Sequence, residues 1–285
     1  MNILFWNVGL SKTMKDIDKI HDCMREILNE NRVDILVLAE YPFDTQALCH
    51  FVNGTSAIQY KSFPNISKRY RIRGIINSLY NIMPLQEENR YQLMAINTSY
   101  YTLILAMIHN ISKATNKPST QKIIISQFCG DIENREHELN CDNTIAIGDF
   151  NLDPFEDNCI GASAMHALPF ADTVLKYPYR TVQQRMYRTF YNPTWKFFKS
   201  ITMPFTTYYH NFSGEDVNFY WYALDQVVIR PSLIEAFDEN SLRIISETNS
   251  HKLLKNGIPD ENYSDHLPLF CSLKEDLLRW KTCGI

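Results

Sequence analysis

Several carboxylate, amide and imidazole side chains in this sequence stand directly at the ends of short apolar segments. Asn7 ends the segment NILFWN, Glu40 ends VDILVLAE and His109 ends ILAMIH. Asp149 and Asn151 follow the segment TIAI in the loop sequence GDFN. Polar groups at strand ends can converge at one rim of a sheet, so this pattern predicts a single site there.

Two further pieces carry the same chemistry. Asp265 and His266 stand in the sequence SDH just before the last apolar segment, and Asp225 starts the segment LDQVVI. A hard divalent cation such as Mg²⁺ prefers carboxylate, amide and water oxygens. A carboxylate next to an imidazole fixes its tautomer and stabilises its cation, which suits proton transfer. These residue types therefore indicate metal-assisted displacement at a phosphoryl group.

The apolar segments that position these residues read as strands. Asn2–Val8 predicts a first strand, a helical spacing of apolar residues begins at Thr13, and Val33–Ala39 predicts a second strand. This is a β–α–β opening with Asn7 and Glu40 near strand ends.

Further along the chain, the segment from Arg71 predicts a strand pair or hairpin, and a helix is predicted over Ser119–Leu139 with Ser119 or Thr120 as its cap. Other predicted strands are Tyr91–Ile96, Tyr101–Ile108, Thr144–Ile147, Leu224–Ile229 and Leu269–Leu273. With eight to ten strands and three or more helices expected, two stacked sheets flanked by helices fit better than one doubly wound sheet.

Composition narrows the class of protein. The chain has 285 residues and no evident linker, so a single domain over residues 1–285 is expected. Seven scattered cysteines without paired spacing, and an N-terminus without a basic stretch before its apolar run, predict a cytoplasmic location. The apolar runs are short, so no membrane insertion is expected. The net charge of −4 gives no global electrostatic argument for a nucleic-acid partner, and the oligomeric state is left open.

Two basic segments of the sequence can each be interpreted as substrate-binding or as structural. The segment Tyr177–Ser200 holds basic and aromatic residues without an acidic one, which suits contact with single strands; equally, its aromatics could be core and its cations a solvated face. The segment Lys68–Arg73 could steer anionic substrates or protect an edge strand. From these regions and the apolar FYWYALD, the candidates for substrate binding are Arg73, Arg188 and Trp221.

The order of the motifs resembles the endonuclease/exonuclease/phosphatase superfamily, also called DNase I-like. The resemblance runs from Asn7 to His266, and GDFN and SDH are its most specific pieces. It implies a four-layer α/β/β/α sandwich with two stacked mixed sheets. It also implies hydrolysis of a phosphate ester by direct attack of activated water, with Mg²⁺ as cofactor and Mn²⁺ as an alternative ion.

The resemblance implies that the metal ligands come from the ends of the first two strands and from the start of the last strand. Glu40 would be the principal Mg²⁺ ligand, and Asn7 and Asp265 would complete the site. The chain departs from some relatives at Gly9, where they carry an acidic residue, and this removes one ligand for a second metal.

The resemblance also assigns catalytic roles. Asp149 would orient or deprotonate the attacking water, and Asn151 would hold the phosphate or the nucleophile. His266, oriented by Asp225, would contact the phosphate or act as the base, so the choice of base stays open between Asp149 and His266. His109 would contact the phosphate or help to protonate the leaving group.

Several substrate classes fit such a site. A nuclease or phosphodiesterase acting on DNA or RNA is favoured, because of the basic and aromatic segment and His109. A small-molecule or lipid phosphate is the alternative within the enzyme class. A catalytically inactive binding module with the same fold is a second class, which the presence of Glu40, Asp149 and His266 disfavours.

Overall fold

The structure is a computed structural model, and it describes residues 1–10, 15–64, 71–113, 115–214 and 216–281. Its α-helices are α1 (Ile17–Glu30), α2 (Thr45–Asn53), α3 (Pro118–Glu138), α4 (Asp157–Ile160), α5 (Ala171–Lys176) and α6 (Glu275–Lys281), with 3₁₀ helices at Pro193–Lys199 and Pro231–Leu233. Its strands are β1 (Asn2–Asn7), β2 (Ile35–Ala39), β3 (Tyr60–Ser62), β4 (Ile72–Asn77), β5 (Asn81–Glu87), β6 (Tyr91–Asn97), β7 (Thr102–His109), β8 (Thr144–Asp149), β9 (Ala167–Leu168), β10 (Tyr179–Val182), β11 (Arg185–Arg188), β12 (Phe190–Tyr191), β13 (Tyr208–Tyr209), β14 (Trp221–Tyr222), β15 (Asp225–Ile229), β16 (Arg243–Ile244), β17 (Leu254–Lys255), β18 (Ile258–Pro259) and β19 (Leu269–Ser272).

Two mixed sheets form the centre of the fold. One has the strand order β16-β19-β1-β2-β4-β3, and the other has the order β5-β6-β7-β8-β15-β12-β9. A buried apolar layer lies between them, while a second cluster packs α1 and α2 on the first sheet and a third packs α3 on the second. The expected two stacked sheets flanked by helices are therefore confirmed.

Strand alternation decides which side chains face the space between the sheets. In β1, Ile3 and Phe5 join the layer between the sheets, whereas Leu4 and Trp6 pack toward the helices. Because side chains alternate with a period of two, Asn7 continues the inner series. In β7 the same alternation places the side chains of Met107 and His109 on the side that faces the other sheet.

Strand direction then brings these ends together. β1 runs parallel to β2, and β7 runs parallel to β8. A hydrogen bond from Asn7 to Asp149 shows that the two pairs end at the same rim. β15 is antiparallel to β8 and pairs Asp225 with Asp149, which places the start of β15 at that rim. The prediction that strand-end residues meet at one edge follows from this topology.

Two local predictions differ from the structure, and a third begins outside the described residues. The segment from Arg71 does not form a hairpin, because β4 pairs with β2 and β3 in one sheet while β5 pairs with β6 in the other. The long helix begins at Pro118, and neither Ser119 nor Thr120 is its cap. Thr13 lies outside the described residues, and α1 begins at Ile17 after Asp16, whose side chain accepts from the backbone N–H of Lys19.

Among the described residues, no helix combines the length and apolar composition needed to cross a bilayer.

Candidate active site

A hydrogen bond between two strand ends joins the sheets at the rim. Asn7 Nδ2 donates to Asp149 Oδ2 at 3.0 Å, and both residues are buried. The other oxygen of Asp149 accepts from the backbone N–H of Asn151 at 2.9 Å. The Asp149 carboxylate is therefore held from both sides, with its position fixed by β1 and by the loop after β8.

His266 and Asp225 form a second buried pair at the same rim. His266 Nδ1 lies 2.8 Å from Asp225 Oδ2. The carbonyl of His266 accepts from Trp6 Nε1 at 2.9 Å, and its backbone N–H donates to Ser264 Oγ at 3.1 Å. With the carboxylate accepting from Nδ1, the ring orientation is fixed and Nε2 is the nitrogen left for chemistry.

Burial and neighbouring charge set the protonation of these groups. Burial alone would lower the pKa of His266, but the charge and hydrogen bond of Asp225, aided by Asp149, outweigh it and raise that pKa to about 10. Burial raises the pKa of Asp149 to about 7, while the His266 cation opposes the rise. The Asp225 contact therefore favours the imidazolium form of His266, and burial favours the protonated form of Asp149.

Glu40 and His109 approach each other from the two sheets. Glu40 directly follows β2 in a left-handed conformation (φ +52°), and its Oε1 lies 3.5 Å from His109 Nε2. The same ring nitrogen lies 3.8 Å from Asp149 Oδ2. His109 thus lies between the carboxylates of Glu40 and Asp149. The sequence did not indicate an acidic partner for His109.

His109 is neutral in this setting. Burial lowers its pKa to about 4, and the charge of Glu40 only partly offsets this effect. Arg90 and Arg71 lower the pKa further, since both place positive charge near the ring. Its Nδ1 is buried and has no hydrogen-bond partner among the described residues.

The third acidic residue, Asp265, lies beside the turn after β1. Ser264 Oγ donates to the carbonyl of Asn7 at 2.6 Å and lies 3.4 Å from Asp265 Oδ1. Lys15 Nζ contacts the carbonyls of Val8 and Tyr263, each at 3.3 Å. A Cβ built on Gly9 would lie 3.1 Å from Asp265 Oδ1 and 3.2 Å from that ammonium. The missing acidic side chain at Gly9 is therefore accompanied by a lysine charge close to Asp265.

The donor set around β1 fits a hard divalent cation. Glu40, Asn7 and Asp265 offer carboxylate and amide oxygens from neighbouring segments, which is the chemistry that Mg²⁺ and Mn²⁺ prefer. A second group, Asp149, Asp225 and His266, has ligating atoms within 4.8 Å of one another. In this group His266 Nδ1 bonds to Asp225 Oδ2. The other oxygen, Asp225 Oδ1, is buried and has no hydrogen-bond partner in the described part of the chain. The His266–Asp225 contact suits the second group to proton transfer, and the first set has the oxygen donors that a hard cation prefers.

The loop after β8 depends on two unusual backbone conformations. Gly148 has φ +154°, and a Cβ there would lie 1.9 Å from the carbonyl oxygen of Ile108. Asn151 has φ +51°, which asparagine tolerates, and its Nδ2 donates to the carbonyl of Asn110 at 3.0 Å. Only glycine fits between β7 and β8 at this point, so the tight GDFN loop can present Asp149.

The three substrate-binding candidates have different positions. Trp221 in β14 pairs with Tyr209 in the hairpin beside His266. Arg73 alternates with Ile72 and so shares the helix-facing side of β4 with Ile75, where its charge acts on Tyr41. The structure therefore places Trp221 in the hairpin beside His266 and Arg73 on the helix-facing side of β4, near Tyr41.

The prediction for Arg188 needs correction. Its guanidinium bonds to Glu136 and to Asp142, each at 2.7 Å. Glu136 also accepts from Thr144 at the start of β8, the opposite end from Asp149. Arg188 therefore balances a buried carboxylate at the far end of the sheet, where it cannot contact the same phosphate.

Two residues near the site were missed from sequence. Arg90 precedes β6, and the register that pairs Tyr91 with Ile108 places it opposite the His109 end of β7. The short turn between β6 and β7 could have revealed this register. Tyr208 makes an isolated bridge with His266, and their ring centroids are 4.6 Å apart. It lies in a segment with no periodic pattern, so no sequence signal identified it.

Comparison with solved structures gives the class of fold. The endonuclease/exonuclease/phosphatase family protein from Leptotrichia buccalis C-1013-b has a TM-score of 0.53 and 14% identity, over 96% of this chain and 99% of that one. TDP2 of D. rerio, complexed with single-strand DNA product, has a TM-score of 0.54 and 16% identity, over 95% and 98%. The 3'-5' exonuclease NExo from Neisseria meningitidis has a TM-score of 0.54 and 14% identity, over 96% and 99%.

The likeness is one of fold. No protein-family model and no curated protein sequence matches the chain. The structural likeness covers nearly the whole chain, so the chain has the endonuclease/exonuclease/phosphatase, or DNase I-like, fold. The resemblance that the motifs predicted is confirmed at this level.

Proposed function

We propose that this chain is a divalent-metal-dependent hydrolase of phosphodiesters that acts on nucleic acid. The observation that carries the proposal is the convergence of Asn7, Asp149, Asp225 and His266 from both sheets into one buried cluster, with Glu40 next to His109. Such a cluster of unlike titratable groups in a cleft is a signature of catalysis rather than of stability.

The protein's own residues divide the work. Asp149, held by Asn7 and the Asn151 backbone, takes the proton of the attacking water, and its raised pKa suits a base near neutral pH. His266, held by Asp225, presents a cation to the non-bridging phosphate oxygens and stabilises the charge that develops there. His109 lies between Glu40 and Asp149 and contacts the phosphate from the second sheet.

The proposed metal site uses Glu40, Asn7 and Asp265. Mg²⁺ or Mn²⁺ bound there would polarise a phosphoryl oxygen. Lys15 would add a fixed positive charge next to Asp265, where an acidic residue at Gly9 would otherwise favour a second ion.

Nucleic acid is the proposed substrate for two reasons. Arg71 and Arg90 place positive charge beside His109, at the rim where a polyanion would enter. The folds of TDP2 from D. rerio, which was solved with a single-strand DNA product, and of the 3'-5' exonuclease NExo resemble this one.

A substrate panel tests the proposal. Single-stranded and double-stranded DNA, RNA, cyclic nucleotides, sphingomyelin and inositol phosphates would be incubated with the protein in Mg²⁺, in Mn²⁺ and in EDTA. We expect hydrolysis of a nucleic acid that EDTA abolishes and added metal restores. Hydrolysis of only a lipid or a small phosphomonoester would contradict the assignment of substrate, and no hydrolysis of any member would contradict the enzyme.

A further inference from the structure

Aromatic rings in mutual contact run outward from the catalytic histidine. The path starts at His266 and continues through Tyr208, His210, Phe212, Tyr222, Phe219, Phe155 and Phe198. Each consecutive pair of ring centroids is between 4.1 Å and 6.2 Å apart. These residues come from four separate segments of the chain, so their alignment is a product of the fold.

The last three rings of the path form an exposed patch, and His210, nearer to the site, is exposed as well. Tyr222 is buried, whereas 54% of Phe219 and 41% of Phe198 are exposed to solvent. Phe155 connects the two, with centroids 5.4 Å from Phe219 and 5.7 Å from Phe198. An exposed apolar patch that is continuous with a catalytic centre indicates a binding surface.

Backbone contacts hold the rings from Tyr208 to Phe198, here called the aromatic ridge, next to the site. Tyr208 bridges to His266, and the backbone N–H of Leu267 donates to the carbonyl of Thr207 at 2.8 Å. Asp153 Oδ1 accepts from the backbone N–H of Ala223 at 2.8 Å, which ties the loop carrying Phe155 to the hairpin of β13 and β14. The outer rings therefore keep a set distance from the proposed scissile phosphate.

We propose that this ridge is a stacking platform for the bases of a single-stranded nucleic acid whose scissile phosphate lies at His266 and Asp149. The inference rests on the proposed function and names its substrate class. Every base has an aromatic face, so a series of rings next to the backbone-binding residues holds a single strand without reading its sequence. Paired bases are stacked on one another, and a duplex leaves those faces covered.

A lipid surface is the other partner that exposed aromatic rings suit. The position of the ridge favours the nucleic acid. Tyr208 contacts the imidazole of His266, so a strand bound along the ridge has its backbone close to the reacting atoms. Polar edges also accompany it, since Asn218 Oδ1 accepts from the Tyr222 hydroxyl at 3.1 Å and His210 is exposed beside Phe212.

The test compares Phe219→Ala and Phe155→Ala with wild type. Tyr100→Ala is the matched control, because Tyr100 is equally exposed, at 53%, in the turn that precedes β7 at the end opposite His109. Binding of a fluorescent single-stranded oligonucleotide would be measured by anisotropy in EDTA, and hydrolysis of methyl para-nitrophenyl phosphate would be measured with Mg²⁺ or Mn²⁺. The small ester carries no nucleobase, so its hydrolysis reports on the reacting groups at His266 and Asp149.

We expect each ridge variant to bind the oligonucleotide roughly fivefold to a hundredfold more weakly, with the control unchanged. Hydrolysis of the small ester should be the same in all four proteins, and duplex binding should not respond to the ridge variants. Unchanged binding of the single strand would overturn the proposal, as would a loss of binding to phosphatidylserine vesicles in its place. The anisotropy needs no catalysis, so failure of wild type to hydrolyse the oligonucleotide with Mg²⁺ or Mn²⁺ would contradict the proposed function separately.

Discussion

His266 Nδ1 lies 2.8 Å from Asp225 Oδ2, and neither side chain is accessible enough for water to replace this contact. The two residues come from different sheets, since Asp225 starts β15 and His266 precedes β19. The pair therefore depends on the stacking of the sheets, and it gives the first prediction.

Asp225→Asn should lower kcat while leaving KM nearly unchanged. The amide cannot stabilise the imidazolium that faces the phosphate, so the loss should be roughly a hundredfold or more, as for the removal of one electrostatic contact to the transition state. Steady-state kinetics on the best substrate measure this. Asp142→Asn is the matched control, because Asp142 lies at the far end of β8 and pairs with Arg188. An equal loss in both variants would indicate general destabilisation and contradict the role of Asp225.

Glu40→Gln should weaken Mg²⁺ binding by about tenfold or more, because a neutral amide replaces the main anionic ligand of the proposed site. Calorimetric titration of the metal-free protein measures the dissociation constant without any turnover. The thermal midpoint without metal should stay close to that of wild type, since Glu40 ends a strand whose backbone contacts are retained. Equal affinity in the two proteins would remove Glu40 from the metal site.

Arg90→Gln should raise the KM for an oligonucleotide and reduce the slope of log KM against log salt concentration by about one, as expected for the loss of one phosphate contact. Arg90 is half-buried near His109, so its charge acts on the same phosphate region. The control is Arg32→Gln, an exposed arginine in the turn before β2, at the end opposite Glu40. If both substitutions changed the slope equally, the effect would be one of net charge.

Asp153 should make the protein less stable as the pH rises. Burial raises the pKa of its carboxyl to about 6 from the ordinary value of 3.8, although the Ala223 N–H partly opposes this. The folded state therefore holds the proton more tightly than the unfolded chain, and the free energy of unfolding falls between about pH 4 and pH 6. Above about pH 6 the free energy of unfolding is lower by the full amount, about 3 kcal/mol.

Asp153→Asn removes this titration, and its amide oxygen can still accept from Ala223. Urea unfolding should show the variant more stable than wild type at neutral pH and equal to it below about pH 4. Asp172→Asn, an exposed carboxylate in the first turn of α5, should follow wild type at both values. A difference between Asp153→Asn and wild type that does not change with pH would show that burial of this carboxylate is not its cause.

Residue parity explains why so much of the site was predictable. Asn7, His109 and Asp149 each end a continuous apolar strand, and the period of two places each of them between the sheets. Strand-end position and residue type were both visible in the sequence. The orientation of Asp225 was not, because it depends on β15 pairing antiparallel with β8.

Other residues depended on pairing that the sequence leaves open. The β4 and β5 segments are adjacent in the chain, yet each has a better partner in a different sheet, so the expected hairpin does not form. Arg188 lies in a basic and aromatic segment that suggested substrate binding, but buried Glu136 supplies a stronger partner. A local pattern of charge cannot reveal such a long-range neutralising contact.

The most direct test of the proposed site compares hydrolysis of the best oligonucleotide by wild type, Asp149→Asn, His266→Ala and the distant control Asp142→Asn, each with saturating metal and with EDTA. Circular dichroism and thermal unfolding would confirm that all four proteins are folded. The proposed site predicts metal-dependent cleavage by wild type and Asp142→Asn, and a loss of at least about a hundredfold in kcat for the other two. Wild-type rates in Asp149→Asn and His266→Ala would show that the phosphodiester is cleaved elsewhere, and would contradict the assignment of this rim as the active site.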